Sequence, residues 1–308
     1  MNDSGFSLVE ALVALALAMT VTGTAMALVM PASRASMTQP EVMDVQQRAR
    51  VAAEMIARDV SAAGAGVSAG ARRGVLPLGI PAVLPRRLGG QSGDGPSVAR
   101  ATAITTLTVP IGSPVTTTAA AISASSLLLT VNAAPSCGSA PLCGLLAGQD
   151  VLVRDDAEHF DVFRITRIAG GAATLRHHGQ DLSWTYPTGA AVSQVVSRTF
   201  EFDASVGQLR QYDGDQSDQP AVDALSEVSF SYLGSAPGSP GLVTLPLSMF
   251  VDGPWMGSGT TKFDADLLRV RAIRIRVTAQ AADVRLRSRV PAFGVSIAVA
   301  PRNLSVGR

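Results

Sequence analysis

The chain is short of the residues that most nucleic-acid binders and enzymes display. Lys262 is the only lysine among 25 Lys and Arg residues, charged residues make up 16% of the 308, and the formal net charge is +1. A nearly neutral chain sets up no global field to recruit a polyanion, so no nucleic-acid partner is expected. The preference for arginine, with abundant alanine, reads as codon bias and carries no functional weight. Histidine occurs at His159, His177 and His178 only. His177 and His178 are adjacent in a strand-like run and point to opposite faces, so they do not readily share one ion. Serines are plentiful, yet no G-x-S-x-G elbow or histidine-linked partner accompanies them. GGQSGDG, residues 89–95, has no Lys-Ser/Thr after it and no strand-loop-helix unit around it, which excludes a phosphate cradle. The reading is a non-enzyme without a cofactor.

Cysteine is equally scarce. Cys137 and Cys143 stand in APSCGSAPLCGLL, among Gly, Pro and Ser. A disulfide closing this short loop fits an oxidising compartment and adds about 2 kcal/mol; two free thiols in a loop are the alternative. No second Cys or His pair lies nearby to complete a tetrahedral metal site. Two acidic stretches invite a hard-cation reading. RDDAEHFD gathers Asp155, Asp156, Glu158, His159 and Asp161, and YDGDQSDQP presents Asp213, Asp215 and Asp218. The second lacks the interior Gly and closing Glu of an EF-hand loop, and both read first as hairpin turns, with these aspartates as weak metal candidates.

What the chain has in quantity is apolar length. From Phe6 to Met30 the only ionisable side chain is Glu10, and a helix over that stretch spans about 37 Å, enough for a hydrocarbon core of about 30 Å. One transmembrane helix follows. Its flanks are unusual: MNDSG holds Asp3 and no Lys or Arg, so an ordinary secretory n-region is missing, and Arg34 beyond the span runs weakly against the positive-inside rule. A carboxylate inside a membrane costs about 2.5–3.5 kcal/mol at a helix centre and less near an end, so Glu10 calls for a partner or for protonation. Nothing in the segment pairs with it. A cut after Gly5 would turn Phe6 into an N-terminal ammonium in the same apolar layer, available to the Glu10 of the next subunit.

G-F-S-L-V-E before an apolar helix resembles the prepilin motif of type IV pilins and type II secretion pseudopilins. The resemblance implies cleavage between Gly5 and Phe6, N-methylation of Phe6, and an assembly role for Glu10. It also implies the partners: a prepilin peptidase encoded elsewhere, other minor and major pilins, an inner-membrane pilus assembly platform, and membrane lipid. Ala25-Met26-Ala27 offers a rival signal-peptidase site, which would place Glu10 within an h-region behind an uncharged leader.

After Pro31, expected to break or kink the helix, Val42, Val45, Ala49, Ala52, Ile56 and Val60 fall at spacings of three or four and form one apolar face. Gly64 and Gly66 end it. With bends at Pro31 and Pro40 the two halves make one long, interrupted rod, about 85 Å if continuous. EMIARDVSAAGAG resembles the stretch closing the first helix of PilW-type minor pilins, with Arg58 and Asp59 in the paired positions. Residues 67–100 read as an irregular connection in which the pairs Arg72-Arg73 and Arg86-Arg87 are solvated loop charge, or touch anionic lipid or a partner. Beyond residue 100 short runs such as AITTLTV, HFDVFRITRI and VSQVVSRTFEFD alternate with turn residues and indicate antiparallel pairing. In RVRAIRIRV the arginines change phase near Ala272, which a bulge reconciles. Trp184 with Tyr186, and Trp255 near Phe250, are either exposed anchors or buried loop plugs. The terminal VSIAVAPRNLSVGR resembles the closing strand and tail of PilW-type proteins at Arg302 and Asn303.

The fold class is therefore α+β: a long N-terminal helix, its first half transmembrane, packed on an antiparallel β-sheet in a pilin-like arrangement with an enlarged β-rich C-terminal region. The divisions are a leader at 1–5, a membrane and filament-core helix at 6–30, an amphipathic continuation at 31–66, the connection at 67–100, and a β-rich body at 101–308. The resemblance implies a PilW-type minor pilin that helps initiate or cap a type IV pilus, with a single pass through the bacterial inner membrane, a periplasmic body, and the cell surface after assembly. A J-type pseudopilin of type II secretion is the alternative in the family. A Sec-exported β-rich binding protein or adhesin is the alternative outside it. Replacing Gly5 with a bulky residue is expected to leave the unprocessed form, visible as a small mass increase on a gel.

Overall fold

The structure is a computed structural model that describes residues 7–64, 80–89, 91, 94–95, 97–110, 112–123, 127–134, 137–156, 159–177, 185–214, 218–235, 241–256 and 263–301, the side chains at 31–37 apart. Helix α1, Leu8–Ala62, is a single helix of 55 residues, about 82 Å long at 1.5 Å per residue. The expected interruption is absent: the helix runs through Pro31 and Pro40. Each proline removes one bond from the i to i−4 ladder and crowds the carbonyl four residues before it, a local cost that does not end the helix here. Past its end, Gly64 adopts φ 76°, a conformation that favours glycine, and its N–H donates to the Leu107 carbonyl at 2.8 Å. That bond ties the helix end to the β body.

Sixteen strands follow among the described residues: β1 Val83–Leu84, β2 Ala103–Thr108, β3 Val115–Thr117, β4 Leu128–Leu129, β5 Asp150–Arg154, β6 Phe160–Ala169, β7 Ala172–His177, β8 Ala191–Asp203, β9 Gln208–Tyr212, β10 Asp218–Val222, β11 Leu225–Ser235, β12 Leu242–Leu245, β13 Trp255–Met256, β14 Phe263–Asp264, β15 Val270–Ala279 and β16 Phe293–Val299. All their pairings are antiparallel. A four-stranded sheet has the order β12-β11-β15-β16, a larger sheet of ten strands runs β1-β2-β8-β5-β6-β7-β4 with β3, β9 and β10 joined at the side, and β13 pairs with β14 alone. Residues 67–100 are thus not wholly irregular. Val83 pairs with Thr106 and Leu84 with Thr105, in a strand too short, between Pro81 and Pro85, to show any period in the sequence.

The second half of α1 lies on the four-stranded sheet. Val45, Ala49, Ala52, Ile56 and Val60 are fully buried against it, and the alanines let the helix axis approach β15 and β16 closely. On β15, Ile273, Ile275 and Val277 face the helix while Arg274 and Arg276 face solvent. The register shifts where Leu233 pairs with Ala272 and Gly234 with Val270, leaving Arg271 as the extra residue of a bulge. The phase change in RVRAIRIRV has that cause.

A second core lies on the far side of the larger sheet. Along β5 the side chains alternate between the two interiors: Leu152 enters the core shared with α1, while Val151 and Val153 enter the other. On β6, Val162 belongs to the first core and Phe163 and Ile165 to the second. The period of two explains how one pair of strands serves both. β8 spans the whole assembly, pairing with β3 and β5 over its first half and with β2 and β9 over its second.

All three tyrosines, Tyr186, Tyr212 and Tyr232, are buried. Burial raises each phenol, and a carboxylate bonded to the hydroxyl adds to this at Tyr186 and Tyr212: Tyr186 donates to Asp161 and Tyr212 to Asp94, each at 2.7 Å. The folded chain therefore holds these protons more tightly than the unfolded chain, so the associated stability is complete below about pH 10 and is lost as pH rises above it. A phenolate absorbance titration is expected to show no tyrosine ionising before the protein unfolds, and ionisation of all three together with unfolding.

Candidate functional site

Leu8–Met30 is long and apolar enough to cross a membrane, and the body of the chain buries none of it. Leu8, Leu12, Leu17, Met19 and Leu28 are among its exposed side chains. The polar atoms of this stretch are satisfied within the helix. Thr20 donates to the Leu17 carbonyl at 2.8 Å, Thr22 to Ala18 at 2.7 Å, and Thr24 to Thr20 and Val21 at 3.0 and 2.9 Å. Hydroxyls bonded back in this way add little cost in hydrocarbon. Leu15, Ala18, Met19, Thr22, Gly23 and Met26 line a shallow groove along the helix, and apart from the adjoining helix backbone and the two flanking residues no atom of the described residues lies within 4 Å of where a Cβ on Gly23 would stand. Small residues between larger ones are the surface on which a second helix packs closely.

Glu10 sits in the first turn of α1, where the N-terminal end of the helix dipole favours a carboxylate. The nominated cleavage residues Gly5 and Phe6 lie outside the described residues. Below the span the helix is locked to the body by polar contacts as well as by its apolar face. Glu41 accepts from the Ala282 N–H at 2.8 Å. Arg48 bonds Asp44 and lies 3.9 Å from Asp223. Asp59 pairs with Arg198 of β8 at 3.2 Å. Asp59, nominated by resemblance, is thus a link between helix and sheet.

Cys137 and Cys143 form a disulfide, with Cα atoms 4.4 Å apart. The first acidic stretch closes on itself. Asp155 accepts from the His159 N–H at 2.9 Å and lies 2.8 Å from its Nδ1, in the turn between β5 and β6, while Asp161 points inward to Tyr186. Asp156 is exposed, and Glu158 lies outside the described residues. In the second stretch Asp213 lies 3.9 Å from Arg164, and Asp218 lies 3.8 Å from Arg87. These two face different arginines across a hairpin instead of converging on one point, and Asp215 is outside the described residues. The carboxylates that do converge were not apparent from sequence. Asp252, Asp264 and Asp266 bring oxygens within 4.8 Å of one another. Asp264 accepts from the Gly253 and Asp266 N–H groups and Asp266 pairs with Arg269 at 2.5 Å, so Asp264 and Asp266 are held within the local turn. Tyr186 and Phe250 are buried plugs, Trp255 is at the surface, and Trp184, Arg302 and Asn303 are outside the described residues.

Arg86 and Arg87 are not solvated loop charge. Arg86 is buried, and that burial pulls its guanidinium down to about 10. Arg87 bonds Asp94 at 2.7 Å and Glu201 at 2.9 Å and lies over the Tyr212 ring at 4.7 Å. Burial opposes its charge, but Glu201 and Asp94 outweigh that and hold its pKa above the ordinary value. Arg100 completes the group at 2.8 Å from Glu201. The segment around residues 85–100 is pinned to β8 and β9 by this network. Gly89 fits because a Cβ there would stand 2.6 Å from the Gly214 carbonyl oxygen. Sequence spacing carries no sign of contacts between residues 114 apart.

The prokaryotic N-terminal methylation motif matches residues 1–26. This supports a type IV pilin-like or pseudopilin-like prepilin, for which interaction with other pilins and with the prepilin peptidase is implied. With the apolar helix it suggests a membrane-anchored protein. No curated protein and no solved structure matches the chain. Replacing Arg87 by Met is expected to leave the buried Asp94 carboxylate without its cation, while Glu201 keeps Arg100, and to lower unfolding stability by about 3 kcal/mol, measured in detergent by urea titration.

Proposed function

We propose that the chain is a PilW-type minor pilin, a non-enzymatic subunit that helps initiate or cap a type IV pilus after its leader is removed. The observation that supports this reading is the division of α1. One half is apolar, unburied by its own chain and marked by Glu10, and the other is built into the body. Such a helix delivers a folded domain to a bundle of like helices without any change in the domain. In the bundle, the Phe6 ammonium of one processed subunit neutralises Glu10 of its neighbour. Pairing in a low-dielectric layer restores what a lone carboxylate loses there. The body sits in the periplasm before assembly and at the cell surface after it, and the Cys137–Cys143 disulfide suits that oxidising route.

The identity of the amino terminus tests the reading. N-methylated Phe6 at the start of the membrane-extracted protein supports it. A start at Met1 sinks it, and a start at Leu28 points to a Sec-exported protein. Glu10→Ala is expected to insert in the membrane as well as the parent chain, or better, yet to be impaired in filament assembly. Normal filament numbers with normal incorporation of the variant, counted by electron microscopy and immunoblotting, would remove the pairing mechanism.

A further inference from the structure

The loop between β15 and β16 carries three exposed arginines, Arg285, Arg287 and Arg289, and an exposed Val284. None of the three forms an ion pair among the described residues. The one acid within the loop, Asp283, accepts from the Arg285 backbone N–H, and Arg287 bonds the Ala281 carbonyl at 3.1 Å. The loop is thus a folded turn with an excess of positive charge.

Its place along α1 decides what it faces. Contacts between helix and body follow the chain in order: Glu41 meets Ala282, Arg48 lies near Asp223, Arg50 stacks over Phe293, and Asp59 meets Arg198. The loop beginning at Ala282 is therefore the part of the body nearest the apolar span. From Met30 to Glu41 the helix rises about 16 Å. The headgroup layer takes up about 5–7 Å of that, and an arginine side chain reaches about 6 Å towards it. What remains is less than the screening length of about 8 Å at physiological salt.

We infer that this arginine loop is a docking surface for anionic phospholipid headgroups on the side of the membrane where the body emerges. It holds the body against the bilayer until the subunit is extracted. Charge complementarity and continuity with the span select the lipid over an acidic protein, because α1 places that surface beside the loop in every inserted copy. The inference rests on the reading of α1 as a membrane anchor.

The test uses the full chain with its native disulfide, labelled with a fluorophore at Ser288→Cys and reconstituted into vesicles carrying a headgroup quencher. Flotation reports insertion, and quenching reports the loop. Phosphatidylglycerol in phosphatidylcholine vesicles is expected to raise quenching about threefold over phosphatidylcholine alone, and high salt to abolish the rise. Arg285→Gln with Arg289→Gln is expected to lose the rise. Arg274→Gln with Arg276→Gln, an equal loss of charge on the outer face of the sheet, is expected to keep it. A protein that floats but shows no response to lipid charge, or one in which both double variants fail alike, overturns the lipid assignment while leaving the anchor intact. Quenching that an acidic partner protein relieves, with no dependence on lipid charge, overturns it in favour of that partner. Failure to float removes the anchor and this inference together.

Discussion

One continuous helix must satisfy two solvents, and everything else in the molecule follows from how it does so. In hydrocarbon every backbone donor and acceptor has to be bonded within the segment, which a helix achieves and an open strand does not. The same ladder, carried through Pro31 and Pro40, becomes the packing surface of a folded domain. Because the ladder does not stop, no flexible joint separates anchor from body among the described residues. A displacement of the span is transmitted to the sheet through Glu41, Asp59 and the buried face from Val45 to Val60.

The body is built to accept that helix and then to grow beyond it. The four-stranded sheet offers one apolar face to α1 and turns its arginines outwards. The larger sheet uses both of its faces, with Leu152 and Val162 supporting the core around the helix and Val151, Val153 and Phe163 supporting a second core remote from it. Alternation along a strand makes this economical, since two interiors share one backbone. Within the body, several polar groups that leave solvent do so in company, whereas the buried Tyr232 hydroxyl has no hydrogen-bond partner among the described residues. Tyr212, Arg87, Asp94 and Glu201 form one such group and Asp155, His159, Asp161 and Tyr186 another. Removing a member would leave its direct partner short of a buried hydrogen bond or counter-charge.

The turn-forming role of the acidic stretches was legible because hairpin residues and cation ligands differ in spacing. YDGDQSDQP lacks the ligands that would close an EF-hand loop. The strand runs from Ala103 onwards were equally plain from their alternation, and the change of phase at Ala272 was visible as a bulge. β3, β10, β12, β13 and β14 were not. DQPAV contains a proline and little apolar surface, and LVTL is too short for a period to emerge. Arg86 and Arg87 misled in the opposite sense, because a pair of arginines among Gly and Pro has the composition of a solvated loop whether or not acids come to meet it.

By itself the amino-acid sequence determined the membrane-length apolar segment, the single acid within it, the helical face that follows, and the antiparallel character of the rest. Each is a local property, set by the residue types and their spacing along a few turns or strands. Only the tertiary structure decided that the helix is unbroken, that Arg87 is enclosed, that Asp252 meets Asp264, and that the body has two cores. Those depend on contacts between residues far apart in the chain, where the free energy of burial is settled by which partners arrive and not by the residues that wait for them.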